Sequence, residues 1–288
     1  MPPMTEDDLT DEVVERLSST PDPRLAEVLR SLVRHLHAFV RDVRLTDDEW
    51  AAGVRFLTET GQTCDDVRQE VVLLSDVLGV SSLVDLVNHA GGRSERDTHA
   101  GPEPTETTIL GPFYLAGAPE REFGASMVEE GGEGRPALLR GSVGSTSGVP
   151  IIGATLDVWQ SAPSGRYAVQ EPEVQGPANL RGIYRTDDRG RYELRTVRPT
   201  PYPVPHDGPV GRLLDATGRH PWRAAHIHVK VSAPGFEPLT THVFDRGSDY
   251  LDSDAVFGVK ESLLEDFVED ADGTLVCEHD FVLRPARG

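Results

Sequence analysis

Cysteine is nearly absent: Cys64 and Cys277 are the only two among 288 residues. Two thiols so far apart exclude a disulfide framework and a four-thiolate zinc site. Basic residues are also scarce. Lys and Arg number 28 against 48 Asp and Glu, a formal net charge of −20. That surplus repels phosphate backbones and anionic lipid, so neither nucleic-acid binding nor membrane insertion is expected. No apolar run approaches the ~18 residues of a membrane span. The acidic start, Met1 to Thr10, lacks the apolar stretch of a secretory signal. With 38% hydrophobic and 26% charged residues, the expectation is a globular cytoplasmic protein with a sizeable core. Its length suits one large or two modest domains of ~150 residues.

Glycine and proline are thin in the first part of the chain. Only 3 of 28 glycines and 4 of 22 prolines precede residue 91, and all six tyrosines follow residue 109. Both residue types interrupt helices and populate turns, so the first part should be helical and the second strand-and-turn. Apolar residues from Leu25 through Val28, Leu32, Leu36, Phe39, Val40 and Val43 make one face of a helix opened by Pro23. Thr46 and Glu49 read as a capping box for a second helix carrying Trp50, Val54 and Leu57. A third is expected from Thr63, with Val67, Val71, Leu74 and Leu78 inward and Gly79 closing it. Leu83, Val84 and Val87 mark a fourth. Residues 91–108 read as a linker or mobile loop. The expected division is therefore a helical N-terminal part with its linker, 1–108, and a β domain, 109–288.

Period-two runs dominate after residue 135. Thr155–Trp159 and Tyr192–Val197 alternate, with Asp187-Asp188-Arg189-Gly190 read as a hairpin turn. His226–Val231, Thr240–Phe244 and Leu275–Leu283 add strands. The fold class expected is mainly β: an antiparallel β-sandwich preceded by a helical domain.

The sharpest local feature is His226-Ile227-His228. Alternate side chains of a strand share a face, which puts the two imidazoles ~6–7 Å apart at the Cα level. Such a pair is a common half of a metal site, and equally two histidines on a solvated strand face. No nearby cysteine supports structural zinc. A two-histidine, one-carboxylate iron(II) site stays open, since carboxylates are plentiful. Tyrosine is the scarcer candidate. Tyr167 follows Ser164-Gly165-Arg166, and Tyr202 stands among four prolines in seven residues, Pro199 to Pro205. That setting holds its phenol rigidly, whereas Tyr184, Tyr192 and Tyr250 read as packing.

Beyond these features the chain resembles the intradiol ring-cleavage dioxygenases. The resemblance is carried by Leu110-Gly111-Pro112-Phe113-Tyr114, Asp157-Val158-Trp159-Gln160, Pro201-Tyr202 and Arg223-Ala224-Ala225-His226-Ile227-His228. Thr196–Pro199, Gly218–Trp222 and Tyr250–Lys260 make it most similar to the hydroxyquinol branch of that family. The resemblance implies one iron(III) per chain, held by Tyr167, Tyr202, His226 and His228, with Tyr202 and His228 axial. Two phenolates and a hydroxide would balance the trivalent charge, and hard anionic oxygens favour iron(III) over iron(II).

The same resemblance implies that Tyr202 doubles as a proton acceptor and that Arg223 stabilises negative charge on the ring. It implies a pocket wall of Asp85, Ile109, Leu110, Gly111, Pro112 and Phe113, in which Asp85 could accept a hydrogen bond from a third ring hydroxyl. His242 is the third catalytic residue expected: it stands where the catechol branch usually has glutamine, and could donate a similar hydrogen bond or titrate. Arg166 departs from a frequently aromatic position. The partners implied are a small aromatic diol or triol and dioxygen, with a homodimer formed through the N-terminal helices. Three readings compete: cleavage of hydroxyquinol to maleylacetate, cleavage of catechol or chlorocatechol, and a non-catalytic β-sandwich binding module.

Overall fold

The computed structural model describes residues 4–89, 101–129 and 132–286. The chain forms two compact units, residues 1–59 and 60–288. That boundary follows contacts, whereas the division expected at residue 108 follows element type.

The first unit is helical. Helix α1 (Glu6–Arg16) begins at a Thr5–Asp8 capping box. Helix α2 (Pro23–Val43) has Asp22 at its N-cap, accepting from the amides of Arg24 and Leu25, and proline in its first turn. The amide of Thr46 donates to Glu49, whose own amide donates back to the Thr46 hydroxyl, and so opens α3 (Asp47–Gln62). These caps satisfy amides that a helix start leaves without partners. Thr10 of α1 meets His37 Nδ1 of α2 at 2.9 Å. The apolar stripe expected on α2 exists, and most of it is bare: Leu25, Val28, Leu32, Leu36, Phe39, Val40 and Val43 are all 44–53% exposed.

In the second unit, α4 (Glu70–Val77) and α5 (Val80–His89) come first. The third expected helix is found, shorter and turned. Val67, Val71 and Leu78 face outward, and Leu73 and Val77 are the buried positions. They pack with Val210 and Leu214 of α7 (Pro209–Ala216). Apolar residues lie on several sides of this short helix, so its pattern fixes no single inner face. Gly79 follows in a left-handed conformation, φ 72°, which glycine adopts without steric cost. Leu83, Val84 and Val87 of α5 are exposed, and its buried residue is Asp85.

Of the expected linker, residues 91–100 lie outside the described residues. The described remainder is no loose tether. Thr105 N donates to Val282 O and Thr108 N to Thr240 O, at 3.1 and 2.9 Å.

Two five-stranded sheets follow. One contains β1 (Pro136–Ser145), β4 (Arg191–Val197), β10 (Val268–Glu269), β11 (Leu275–Glu278) and β12 (Phe281–Leu283). The other runs β3-β2-β7-β8-β9, made of β2 (Thr155–Trp159), β3 (Arg181–Arg185), β7 (His226–Ser232), β8 (Leu239–Asp245) and β9 (Leu264–Glu265). A ribbon pairs β5 (Tyr202–Pro203) with β6 (Trp222–Arg223), and a short α6 (Pro172–Gln175) lies between β2 and β3.

The sandwich matches expectation, but its sheets are mixed rather than purely antiparallel. Strand β1 pairs in parallel with β11 and then β12, and β8 pairs in parallel with β9. Parallel partners need a long connection, so the local pattern of a strand carries no sign of them. The run Leu275–Leu283 breaks at His279. Gly141 allows this hand-over, because a Cβ there would stand 1.9 Å from the His279 carbonyl oxygen. The expected hairpin turn at Asp187–Gly190 is a tight turn, yet no hairpin: β3 and β4 belong to different sheets.

Alternation along β7 builds core and site together. Ile227, Val229 and Val231 enter the core cluster with Leu139, Val143, Leu156, Val158, Leu194 and Val243. Each such burial stabilises the fold by about 1.5–3 kcal/mol. The intervening His226 and His228 therefore share the opposite face.

Candidate metal centre

Four polar side chains converge on that face. Register aligns Trp159 of β2, His228 of β7 and His242 of β8 across three adjacent strands. The ribbon supplies a second support, with Tyr202 and Arg223 as register partners. Tyr167 comes from the loop after β2, where Gly165 is left-handed (φ 80°) and a Cβ on it would stand 3.1 Å from Tyr202 Cβ.

The donor atoms form a closed circuit. Tyr167 OH donates to Tyr202 OH at 2.9 Å and lies 3.0 Å from His228 Nε2. His228 Nε2 is 3.1 Å from His226 Nε2, which is 3.5 Å from Tyr202 OH. Tyr167, Tyr202, His226 and His228 are each 1–3% exposed. Neighbouring donors around one ion with bonds of about 2 Å stand roughly 3 Å apart. Two phenol oxygens and two imidazole nitrogens at this spacing therefore fit a single metal ion.

The remaining imidazole nitrogens fix the tautomers. His226 Nδ1 donates to Ala224 O at 2.7 Å, leaving Nε2 as a lone pair facing the circuit. His228 Nδ1 lies 2.8 Å from His242 Nε2. When His228 binds through Nε2, its Nδ1–H donates to His242, whose own proton then sits on Nδ1. A ligating histidine is usually oriented by such a bond from its far nitrogen. Ligand nitrogens of His226, His228 and His242 all lie within 4.8 Å of one another. His242, however, engages the rear nitrogen of His228 and stands behind the circuit. It is fully buried, and its Nδ1 has no hydrogen-bond partner.

Aromatic rings close the site. Trp159 stacks on His228 and Phe113 on Tyr167, with centroids 4.7 and 4.9 Å apart. Gly111 brings its backbone close, since a Cβ there would be 3.2 Å from His228 Cε1.

Burial holds His226, His228 and His242 well below the ordinary imidazole pKa, and the Arg223 charge adds to the effect. All three are thus neutral at physiological pH. Burial pushes Tyr167 well above its ordinary value, and the charge and hydrogen bond of Tyr202 push it further. A multivalent cation among the donors would reverse that preference for the phenol. Arg223 reaches the rim with Nη1 3.4 Å from Tyr202 OH and 3.1 Å from His226 Nε2. Its pKa is raised: burial opposes the charge, but Asp254 and the two tyrosines outweigh burial.

The six residues Tyr167, Tyr202, Arg223, His226, His228 and His242 are therefore brought together. The expected pocket wall is divided. Asp85 and Ile109 line a cavity of about 190 Å³ with Ser82, Phe257, Gly258 and Lys260, while Gly111 and Phe113 touch the donor circuit. Leu110 is 39% exposed, and Pro112 is half-buried. Asp85 is already engaged, by Lys260 Nζ at 3.0 Å and His89 Nδ1 at 3.0 Å. Trp159, Asp254 and Lys260 stand within the motifs that carry the resemblance, but the sequence assigns none of them a role of its own. Buried, paired charges look like any other charge in so acidic a chain.

Comparison with known proteins agrees. A family described as "Dioxygenase" matches residues 109–285, and "Catechol dioxygenase N terminus" matches residues 22–95. A 6-chlorohydroxyquinol 1,2-dioxygenase of Cupriavidus pinatubonensis is 49% identical over 278 residues, covering 96% of each chain. A hydroxyquinol 1,2-dioxygenase of a Rhizobium species is 46% identical over 283 residues, 94% of this chain and 92% of the other. The crystal structure of the Pseudomonas putida DLL-E4 hydroxyquinol 1,2-dioxygenase superposes with a TM-score of 0.87 at 45% identity, covering 98% of this chain and 99% of that one. On matches that span both its helical and its sheet-rich parts, the chain belongs to the intradiol ring-cleavage dioxygenase family.

Proposed function

We propose that this protein is a hydroxyquinol 1,2-dioxygenase of aromatic catabolism. It cleaves benzene-1,2,4-triol between its adjacent hydroxylated carbons, and both atoms of dioxygen enter 3-hydroxy-cis,cis-muconate, the tautomer of maleylacetate. The observation that carries the reading is the closed circuit of Tyr167, Tyr202, His226 and His228, with edges of 2.9–3.5 Å. Family membership implies a non-haem iron, and this donor set favours one iron(III) per chain. The names of the relatives support the triol over catechol or a chlorocatechol. Family membership also sets aside the non-catalytic module.

When bound, iron(III) acts as a Lewis acid that draws electron density from the ring diolate and opens it to dioxygen. The chain does the rest. Tyr202 accepts a proton from an incoming ring hydroxyl. Arg223, fixed in charge and 3.4 Å from that phenol oxygen, stabilises the Tyr202 phenolate before it takes the proton, and the negative charge on the ring. His242 positions His228. Phe113, Gly111, Leu110 and Pro112 pack one side of the ring, while Asp85 and Ile109 receive its far edge in the cavity of about 190 Å³. There the Asp85–Lys260 pair meets the third hydroxyl with an acceptor and a donor together.

In the same reading, residues 1–108 serve dimerisation, with Asp85 lent to the pocket, and residues 109–288 catalysis, in a cytoplasmic enzyme. Among the described residues, no helix is long and apolar enough to cross a membrane. The test is a panel of triol, catechol and 4-chlorocatechol with products identified by mass. Faster cleavage of either diol than of the triol would reject the assignment.

A further inference from the structure

We propose that Asp254 is the positioning residue that aims Arg223 at Tyr202. The proposal rests on the role given to Arg223 above. The guanidinium and the carboxylate are side chains only 3% and 2% exposed, in contact through Arg223 Nε and Asp254 Oδ1 at 3.2 Å. Asp254 has no freedom to follow the arginine. Oδ1 also accepts the Ala224 amide at 3.3 Å, and Oδ2 accepts the Gly258 amide at 2.8 Å. The turn that carries it is pinned to β6 by Ala255 N donating to Trp222 O at 3.0 Å.

The choice of nitrogen matters. A carboxylate facing the whole edge of a guanidinium takes two parallel hydrogen bonds. Here Asp254 takes Nε, and Nη2 is buried with no partner. Holding the fork at its root leaves Nη1 turned to Tyr202 OH and His226 Nε2. Gly258 closes the opposite side, since a Cβ there would lie 2.9 Å from Nη2 and 3.3 Å from Asp254 Oδ2. Asp254 also compensates the charge. An unpaired buried cation beside a metal site would be repelled by the metal, whereas the Arg223–Asp254 pair is neutral as a unit.

The experiment uses full-length, iron-loaded protein carrying Asp254→Asn, Arg223→Gln, both together, or Gly258→Ala. Asp254→Asn is expected to lower kcat by roughly 10- to 100-fold, with KM changed far less and iron content retained. Its visible phenolate-to-iron band should move to longer wavelength in the same direction as that of Arg223→Gln, because releasing the guanidinium from its carboxylate lets it swing away from Tyr202, as deleting it does. In the Arg223→Gln background, adding Asp254→Asn should cost nothing further. Gly258→Ala should shift the band by displacing Nη2, which keeps the proposal testable if Asp254→Asn does not fold. Multiplicative losses in the double variant, or an unmoved band in Asp254→Asn or Gly258→Ala, would overturn the role of Asp254. An Arg223→Gln enzyme with unchanged kcat would overturn the arginine's role itself, and the two failures are told apart by which single variant is silent.

Discussion

Trp159 lies flat against His228, with ring centroids 4.7 Å apart and planes inclined by 12°. The two are register partners across β2 and β7, and His242 is the partner of His228 on the other side. One imidazole is thus gripped on its face by an indole and at its rear nitrogen by a second imidazole. Trp159→Ala removes the plate and leaves a cavity, at a cost of about 3–5 kcal/mol, whereas Trp159→Phe keeps most of the stack. His242→Gln retains an acceptor for the Nδ1 proton. His242→Ala leaves it without one, and iron affinity is expected to fall about 10- to 100-fold. Denaturant unfolding and iron titration on the same samples check both effects. Iron held as tightly by His242→Ala as by the parent would remove His242 from the site.

The two tyrosines should be separable by colour. Tyr167→Phe and Tyr202→Phe each delete one phenol oxygen from the circuit, so each iron-loaded variant should lose part of the visible absorption. The double variant should lose all of it. Metal analysis alongside the spectra distinguishes a lost ligand from lost iron. Undiminished absorption in both single variants would show that neither phenol binds the metal.

Residues on α2 supply a third test. Seven apolar side chains on one stripe, each about half exposed, have no cover in the monomer's first unit. The proposed homodimer supplies one. Replacing Leu32 and Phe39 together with aspartate places two charges on that stripe and should halve the mass seen by sedimentation. A parent protein that already sediments as a monomer would dispose of the dimer.

Much of this was legible in the residues. The alternation Ile227-His228-Val229 fixes which side of β7 enters the core, because a strand has only two faces. The proline opening α2 and the capping box at Thr46 are local and readable as such. Other features depend on distant chain. Where Leu73 and Val77 point is decided by α7, more than a hundred residues later, and the direction of β11 and β12 by what β1 leaves open. Asp254 is one aspartate in an acidic chain until folding sets it 3.2 Å from Arg223. The proposed ligand set rests on family resemblance. The histidine spacing alone left a solvated strand face equally open.

The parallel docking of β11 and β12 on β1 also dictates timing. During synthesis, β1 and β4 meet as soon as residue 197 emerges, but the other edge of β1 waits for residues 275–283. For that interval a nascent chain carries an open rim of backbone donors and acceptors, the kind of edge that recruits a second unfinished copy. Ribosome stalling before residue 275 should therefore yield chains that associate with one another, and production at low temperature or with a chaperone that shields the rim should raise the yield of native enzyme.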